Sequence, residues 1–226
     1  MNQFKNAWSF YLNHWQYFAL LAAPILAIEV VTAQLITPLA GDVLLENAED
    51  LSEFVANNGQ YIAILSILGL VASMSFIGGL IAAFDSKSSN YDLDPMAALF
   101  KGVKKFFPLF GAYLLSVIAV FFGLILLILP GIYVGARLAL YPSFMMMENK
   151  GVIDSLKSSW EATDEHGGLL FGLTLLFLAV ALIPSSIFTS LLDPGITQII
   201  ILAIFEYVIV IPWSYMYFSL YQSQKS

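Results

Sequence analysis

Three stretches of this chain, 54–84, 106–136 and 167–192, contain no Asp, Glu, Lys or Arg. Each is longer than the about 20 residues that carry an α-helix across a hydrocarbon layer of about 30 Å. In hydrocarbon the backbone must satisfy its own hydrogen bonds, and a helix does so within one segment. The expected fold is therefore all-α, a polytopic membrane helical bundle. Hydrophobic residues make up 59% of the chain and charged residues 11%, well above the apolar share of about 45–50% in soluble domains. Spans and short connectors use nearly all 226 residues, so a single integral membrane domain, 1–226, is expected.

The spans are read at about 17–40, 61–84, 108–129, 131–147, 168–191 and 196–219. The first is expected to be retained: it exceeds the 7–15 residues of a signal-peptide core, and it carries Glu29. Six crossings place both termini on one side. That side holds all eight lysines: Lys5, Lys87, Lys101, Lys104, Lys105, Lys150, Lys157 and Lys225. Positive charge marks the cytoplasmic face, so both termini are expected in the cytoplasm. The opposite side holds Asp42, Glu46, Glu49, Asp50, Glu53 and Asp193 and no cation. The net charge of −7 thus comes largely from an acidic outer face and gives no sign of a nucleic-acid partner. The lipid bilayer is the expected partner, and other membrane proteins are candidates. In the outer loop, Leu44, Leu45, Leu51, Phe54 and Val55 form a partial apolar stripe, compatible with a surface helix. Trp8, Trp15, Tyr17, Trp160, Trp213, Tyr215, Tyr217 and Tyr221 cluster near the inner boundary, where amphipathic rings are favoured.

A repeat runs through the chain. Phe4-Lys5 is followed by Trp8 and His14, and Leu156-Lys157 by Trp160 and His166 at the same offsets. A looser copy, Phe100-Lys101 with Lys104, precedes the third span. Six transmembrane helices are accordingly read as three hairpins, each preceded by a short interfacial helix. The middle interfacial helix has the clearest start, with Asp94 as N-cap and Pro95 at its first position. Its Lys101, Lys104 and Lys105 are expected at the headgroup level.

Leu129-Pro130-Gly131 is expected to turn the third span into the fourth, because proline ends a helix and glycine permits the turn. The fourth span carries Gly131, Gly135, Ala139 and Ser143 at four-residue intervals, a small face that admits a close neighbour helix. Packing within the chain is expected of it, with homodimerisation the alternative. The same span carries Arg137, whose place in a membrane calls for a partner. By helical rise, Glu206 and Glu29 are expected at matching depth, as a latch between helices or as a transport-related site. Pro24, Pro142, Pro184 and Pro212 are expected to kink their spans.

The segment Leu129-Pro130-Gly131-Ile132-Tyr133, with Arg137, then Met147-Glu148-Asn149-Lys150-Gly151 and Ser155-Leu156-Lys157-Ser158-Ser159-Trp160, resembles the YciC-like bacterial inner-membrane family. A fainter likeness extends to the membrane domain attached to some glycerophosphodiester phosphodiesterases. The resemblance implies a six-span inner-membrane protein and transfers no catalytic residue, because the phosphodiesterase chemistry of those relatives belongs to a separate soluble domain.

No His-Glu-x-x-His, Gly-x-Ser-x-Gly or phosphate-cradling glycine loop with lysine occurs. Cysteine is absent, which removes disulfides, thiol nucleophiles and Cys-ligated metals. His14 and His166 lack clustered carboxylates, so no metal and no cofactor are assigned. The sequence therefore points to a non-enzymatic accessory or organising membrane component. The alternative is a small carrier or lipid-handling protein using Arg137, Glu29 and Glu206.

Overall fold

In a computed structural model, the backbone is described for residues 2–41 and 48–225, and the side chains for 2–35, 52 and 55–225. Among the described residues ten helices follow one another: α1 Asn2–Asn13, α2 Trp15–Gly41, α3 Ala48–Ser88, α4 Pro95–Lys104, α5 Phe106–Leu126, α6 Ile128–Leu138, α7 Tyr141–Met147, α8 Val152–Ala162, α9 Gly167–Leu191 and α10 Ile196–Ser223. Among the described residues there is no strand. Five helices among the described residues are long and apolar enough to cross a membrane, over Trp15–Leu35, Val55–Ser88, Phe106–Leu126, Gly167–Leu191 and Ile196–Ser223.

Three short helices, α1, α4 and α8, each lead into a long one across an elbow of one to four residues. His14 and His166 stand in equivalent places, immediately before α2 and α9. Asp94 caps α4 as expected: its carboxylate accepts from the Met96 and Ala97 N–H groups at 2.8 and 3.1 Å. Pro95 then starts the helix without needing an N–H partner. α4 lies against α3 with almost no gap. A Cβ on Gly102 would stand 2.1 Å from the Ser75 carbonyl oxygen, and one on Gly78 would stand 2.6 Å from the Gly102 Cα. Ser75, Gly78 and Gly79, small residues of α3, thus receive the amphipathic helix α4. In lipid, such close backbone approach is itself the source of packing energy.

The core joins α2, α3, α9 and α10 around fully buried Phe18, Phe84, Phe177 and Phe218. Phe10 of α1 stacks on Tyr215 at 3.7 Å and meets Phe18 and Phe84 edgewise or tilted. α1 is therefore fastened to the bundle by its aromatic face. Tyr217 and Tyr221, expected in an interfacial belt, are buried in this core, whereas Trp15 is half exposed.

Two expectations are corrected. The turn between the third and fourth spans falls at Leu127, in extended backbone, and not at Leu129-Pro130-Gly131. Pro130 is the third residue of α6, where its missing N–H costs no helical bond. The fourth span is also not one helix. It breaks at Ala139–Leu140 into α6 and α7, with Pro142 in the first turn of α7; proline in a helix interior removes a hydrogen bond and clashes with the preceding turn. Gly131, Gly135, Ala139 and Ser143 consequently do not share one face. Gly131 lies against Gly123 and Leu124 of α5 and Gly135 faces Val120, whereas Ala139 and Ser143 line a cavity facing α3 and α10. The outer-loop acids Asp42, Glu46, Glu49, Asp50 and Glu53, and the stripe residues Leu44, Leu45, Leu51 and Phe54, have side chains outside the described residues. The backbone from Ala48 onward belongs to α3, and Val55 on it is half exposed.

Candidate functional site: the Arg137 junction and two membrane carboxylates

The polar centre of the molecule lies at the α6–α7 break. Breaking a helix frees backbone groups that must find other partners, and α8 supplies them. Ser155 and Ser159 on α8 and Thr163, which caps its end, recur every four residues, all fully buried. Ser159 Oγ accepts from the Leu140 N–H at 3.0 Å and donates to the Arg137 carbonyl at 2.8 Å. Thr163 Oγ1 lies 3.2 Å from the same carbonyl. One serine thus bridges both sides of the break.

The Arg137 side chain, 5% exposed, completes the junction. Its Nε donates to Thr163 Oγ1 at 2.7 Å, one terminal nitrogen to the Tyr133 hydroxyl at 2.9 Å, and the other to the Trp160 carbonyl at 2.6 Å and Asp164 Oδ1 at 2.5 Å. The guanidinium also lies over the Trp160 ring, 4.4 Å from its centre, an arrangement suited to its weakly hydrated plane. Four of its five N–H groups are accounted for by α6, α8 and the turn into α9.

This corrects the expected pairing with Glu206 and Glu29. A continuous fourth helix would set Arg137 deep in the membrane, but α6 ends at Leu138, which brings Arg137 level with the end of α8 and the start of α9. Sequence reading missed Ser159, Thr163 and Asp164. A hydroxyl recurring every fourth residue in an amphipathic helix, opposite a proline-interrupted span, was the available signal.

The two carboxylates lie elsewhere, on either side of α10. Glu29 of α2 accepts from the Tyr207 hydroxyl at 2.8 Å and lines a cleft of about 350 Å³ with Thr32, Gly69 and Ser73. Glu206, next in sequence to Tyr207, is exposed and lines a separate cleft between α9 and α10.

At the end of the bundle near α8, Glu148 draws three donors together. Lys225 and Lys150 approach its oxygens at 2.9 and 3.1 Å, and the Tyr221 hydroxyl donates at 3.0 Å. Burial pushes the Glu148 carboxyl upward, but these hydrogen bonds outweigh it and hold the group below its ordinary value. Lys150 also donates to Ser158 at 2.8 Å, and Gln224 donates to the Ala162 carbonyl. The C-terminal end of α10 is thereby tied to α7 and α8. Of the residues expected at the interface, Lys105 donates to Asn149 Oδ1, Lys101 stands 5.9 Å from the Tyr91 ring centre, and Lys104 is exposed. Trp8 packs on Phe4 and Tyr11.

An all-helical chain with five long apolar helices is a multi-pass membrane protein. It is similar to UPF0259 membrane protein plu2479 of Photorhabdus laumondii, with 29% identity over 114 residues, which cover 50% of this chain. The chain spans less than half, 44%, of that relative's length. No family model matches the chain, and no solved structure matches it.

Proposed function

We propose that this is a six-crossing protein of the bacterial inner membrane, with both termini cytoplasmic, acting as a non-enzymatic accessory or organising component of that membrane. In this reading α6 and α7 together make the fourth crossing, and α1, α4 and α8 lie along the cytoplasmic interface, each introducing a hairpin. The Lys105–Asn149 hydrogen bond supports it, because it joins the residue before α5 to the second residue after α7. The chain is further proposed to belong with the YciC-like inner-membrane proteins, on the segment from Leu129 to Trp160. The fainter likeness to the phosphodiesterase membrane domain brings no chemistry with it.

The observation that carries the functional part is the state of Arg137. A transport site keeps an ionic group within reach of its substrate, whereas this guanidinium is enclosed by Thr163, Tyr133, Trp160 and Asp164 of the same chain. It acts as a structural latch joining α6, α8 and α9. The purified protein, reconstituted into liposomes with an internal pH-sensitive dye and an imposed proton gradient, is expected to move no more protons than empty liposomes. Flux above that level, abolished by Glu206→Gln with expression retained, overturns the reading. Such flux would instead favour the small-carrier reading, which draws support from the clefts at Glu29 and Glu206.

A further inference from the structure

The cleft between α9 and α10 holds a feature that lipid alone does not explain. Glu206 is ten residues into α10, about 15 Å along the axis from Ile196, and therefore about halfway through a hydrocarbon layer of about 30 Å. Its residue is exposed, and no ion pair among the described residues involves it. The cleft, about 370 Å³, is walled by Leu182, Ser185 and Thr189 on α9 and by Leu202 and Ile209 on α10. These residues recur at three-, four- and seven-residue intervals, so the cleft is a groove running along both helices. Leu182, Ile183 and Ile187 beside it are half exposed or more, as a lipid-facing surface is. A charged side chain open to hydrocarbon is costly, and in membrane proteins such groups face a partner or a pathway.

We propose that the α9–α10 groove is the docking site for a transmembrane helix of another protein that carries a lysine or arginine at mid-depth, paired with Glu206. The shape and the charge each narrow the occupant. A groove about 17 Å long between two helices, by the rise over residues 202–213, fits a third helix lying alongside. At mid-bilayer the available cations are those carried on hydrophobic segments, since free ions and lipid headgroups stay at the surfaces. A second copy of this chain lacks the complement: Arg137 is held by its own junction, and the lysines all lie outside the middle of the long apolar helices. This assignment rests on the organising role proposed above and names the chemistry of what is organised.

The test uses the full chain in phospholipid vesicles, donor-labelled, with two acceptor-labelled synthetic helices, one of leucines with a single central lysine and one of leucines alone. Energy transfer is expected to show the lysine helix binding about tenfold more tightly than the leucine helix, in line with polar contacts between membrane helices. Glu206→Gln is expected to erase the difference, Glu29→Gln to retain it, and Leu182→Trp, which fills the groove, to weaken both helices. Equal binding of the two helices to the wild-type chain overturns the proposal, as does a lysine preference that survives Glu206→Gln. Glu206-dependent self-association in sedimentation makes the occupant a second copy and overturns it too. No gradient is imposed, so failure here leaves the liposome flux result to judge the accessory role separately.

Discussion

The Lys105 ammonium donates to the Asn149 side-chain oxygen, joining two residues 44 positions apart. Between them lie α5, the turn at Leu127, α6, the break at Ala139–Leu140 and α7. The chain departs with one long helix and returns with two short ones to its starting level. A broken helix inside a membrane protein is tolerated where its freed backbone groups are met by neighbours, and α8 meets them here through Ser159 and Thr163.

Ser159 accepts from one side of the break and donates to the other, so Ser159→Ala is expected to lower stability by about 1–3 kcal/mol, the cost of leaving buried polar groups unmade. Thr163→Ala acts on the same carbonyl. The double variant should therefore depart from the sum of the singles by at least about 0.5 kcal/mol. Thermal unfolding in detergent of the four proteins checks this; strict additivity would mean that the two hydroxyls act independently.

Arg137 and Asp164 contribute unequally although they form an ion pair. Arg137 is buried and Asp164 is 73% exposed at its side chain. Arg137→Leu leaves the Thr163, Tyr133 and Trp160 acceptors without their donor and is expected to cost about 3–5 kcal/mol, as breaking a buried charged network does. Asp164→Asn is expected to cost at most about 1 kcal/mol, as for exposed pairs. Unfolding midpoints and membrane abundance read both; equal losses would contradict the burial argument.

The crossing of α3 and α4 leaves no room for a methyl group. Gly102→Ala places its Cβ against the backbone of Ser75, where no side chain can swing aside. A loss of about 1–3 kcal/mol is expected from this overpacking. Gly172→Ala, inside α9, meets nothing within 4 Å and should leave stability unchanged or raise it by up to about 1 kcal/mol, alanine being the better helix former. Melting curves of the pair separate a packing effect from a general response to alanine in a helix.

The C-terminal tie is expected to depend on pH. Glu148 is held below its ordinary value in the folded chain, so its contribution is present above the unfolded-state carboxyl range and lost as pH falls through the lowered folded value. Lys225 is raised by its hydrogen bonds to Tyr221 and Glu148, so its contribution holds below the ordinary lysine range and fades as pH rises through the raised one. Between those limits the tail should resist carboxypeptidase. Glu148→Gln should make it susceptible at neutral pH, and unchanged resistance would show that the tie does not hold the tail.

Much of this architecture was legible in the sequence, for identifiable reasons. Asp94-Pro95 specifies a helix start through local geometry alone. The lysine–tryptophan repeat marked α1 and α8 because a helix packed on one side against the bundle must alternate apolar and polar faces. The α6–α7 break was not legible, since Pro142 promises a kink or a break equally and the outcome depends on whether α8 supplies hydroxyls. The partner of Arg137 was missed for the same reason. Depth measured along an assumed straight helix selects Glu206 and Glu29, whereas the break carries Arg137 to Asp164, which reads from sequence as one more solvated acid.

The most direct measurement is the membrane sidedness of three single-cysteine variants, Lys104→Cys, Lys150→Cys and Asp193→Cys, labelled in intact cells by a thiol reagent that does not cross the bilayer. The native chain has no cysteine to interfere. If α6 and α7 together complete a crossing, positions 104 and 150 are protected and position 193 reacts. Labelling of position 150 with protection of 104 and 193 would mean that the broken pair does not cross, and would contradict the six-crossing account.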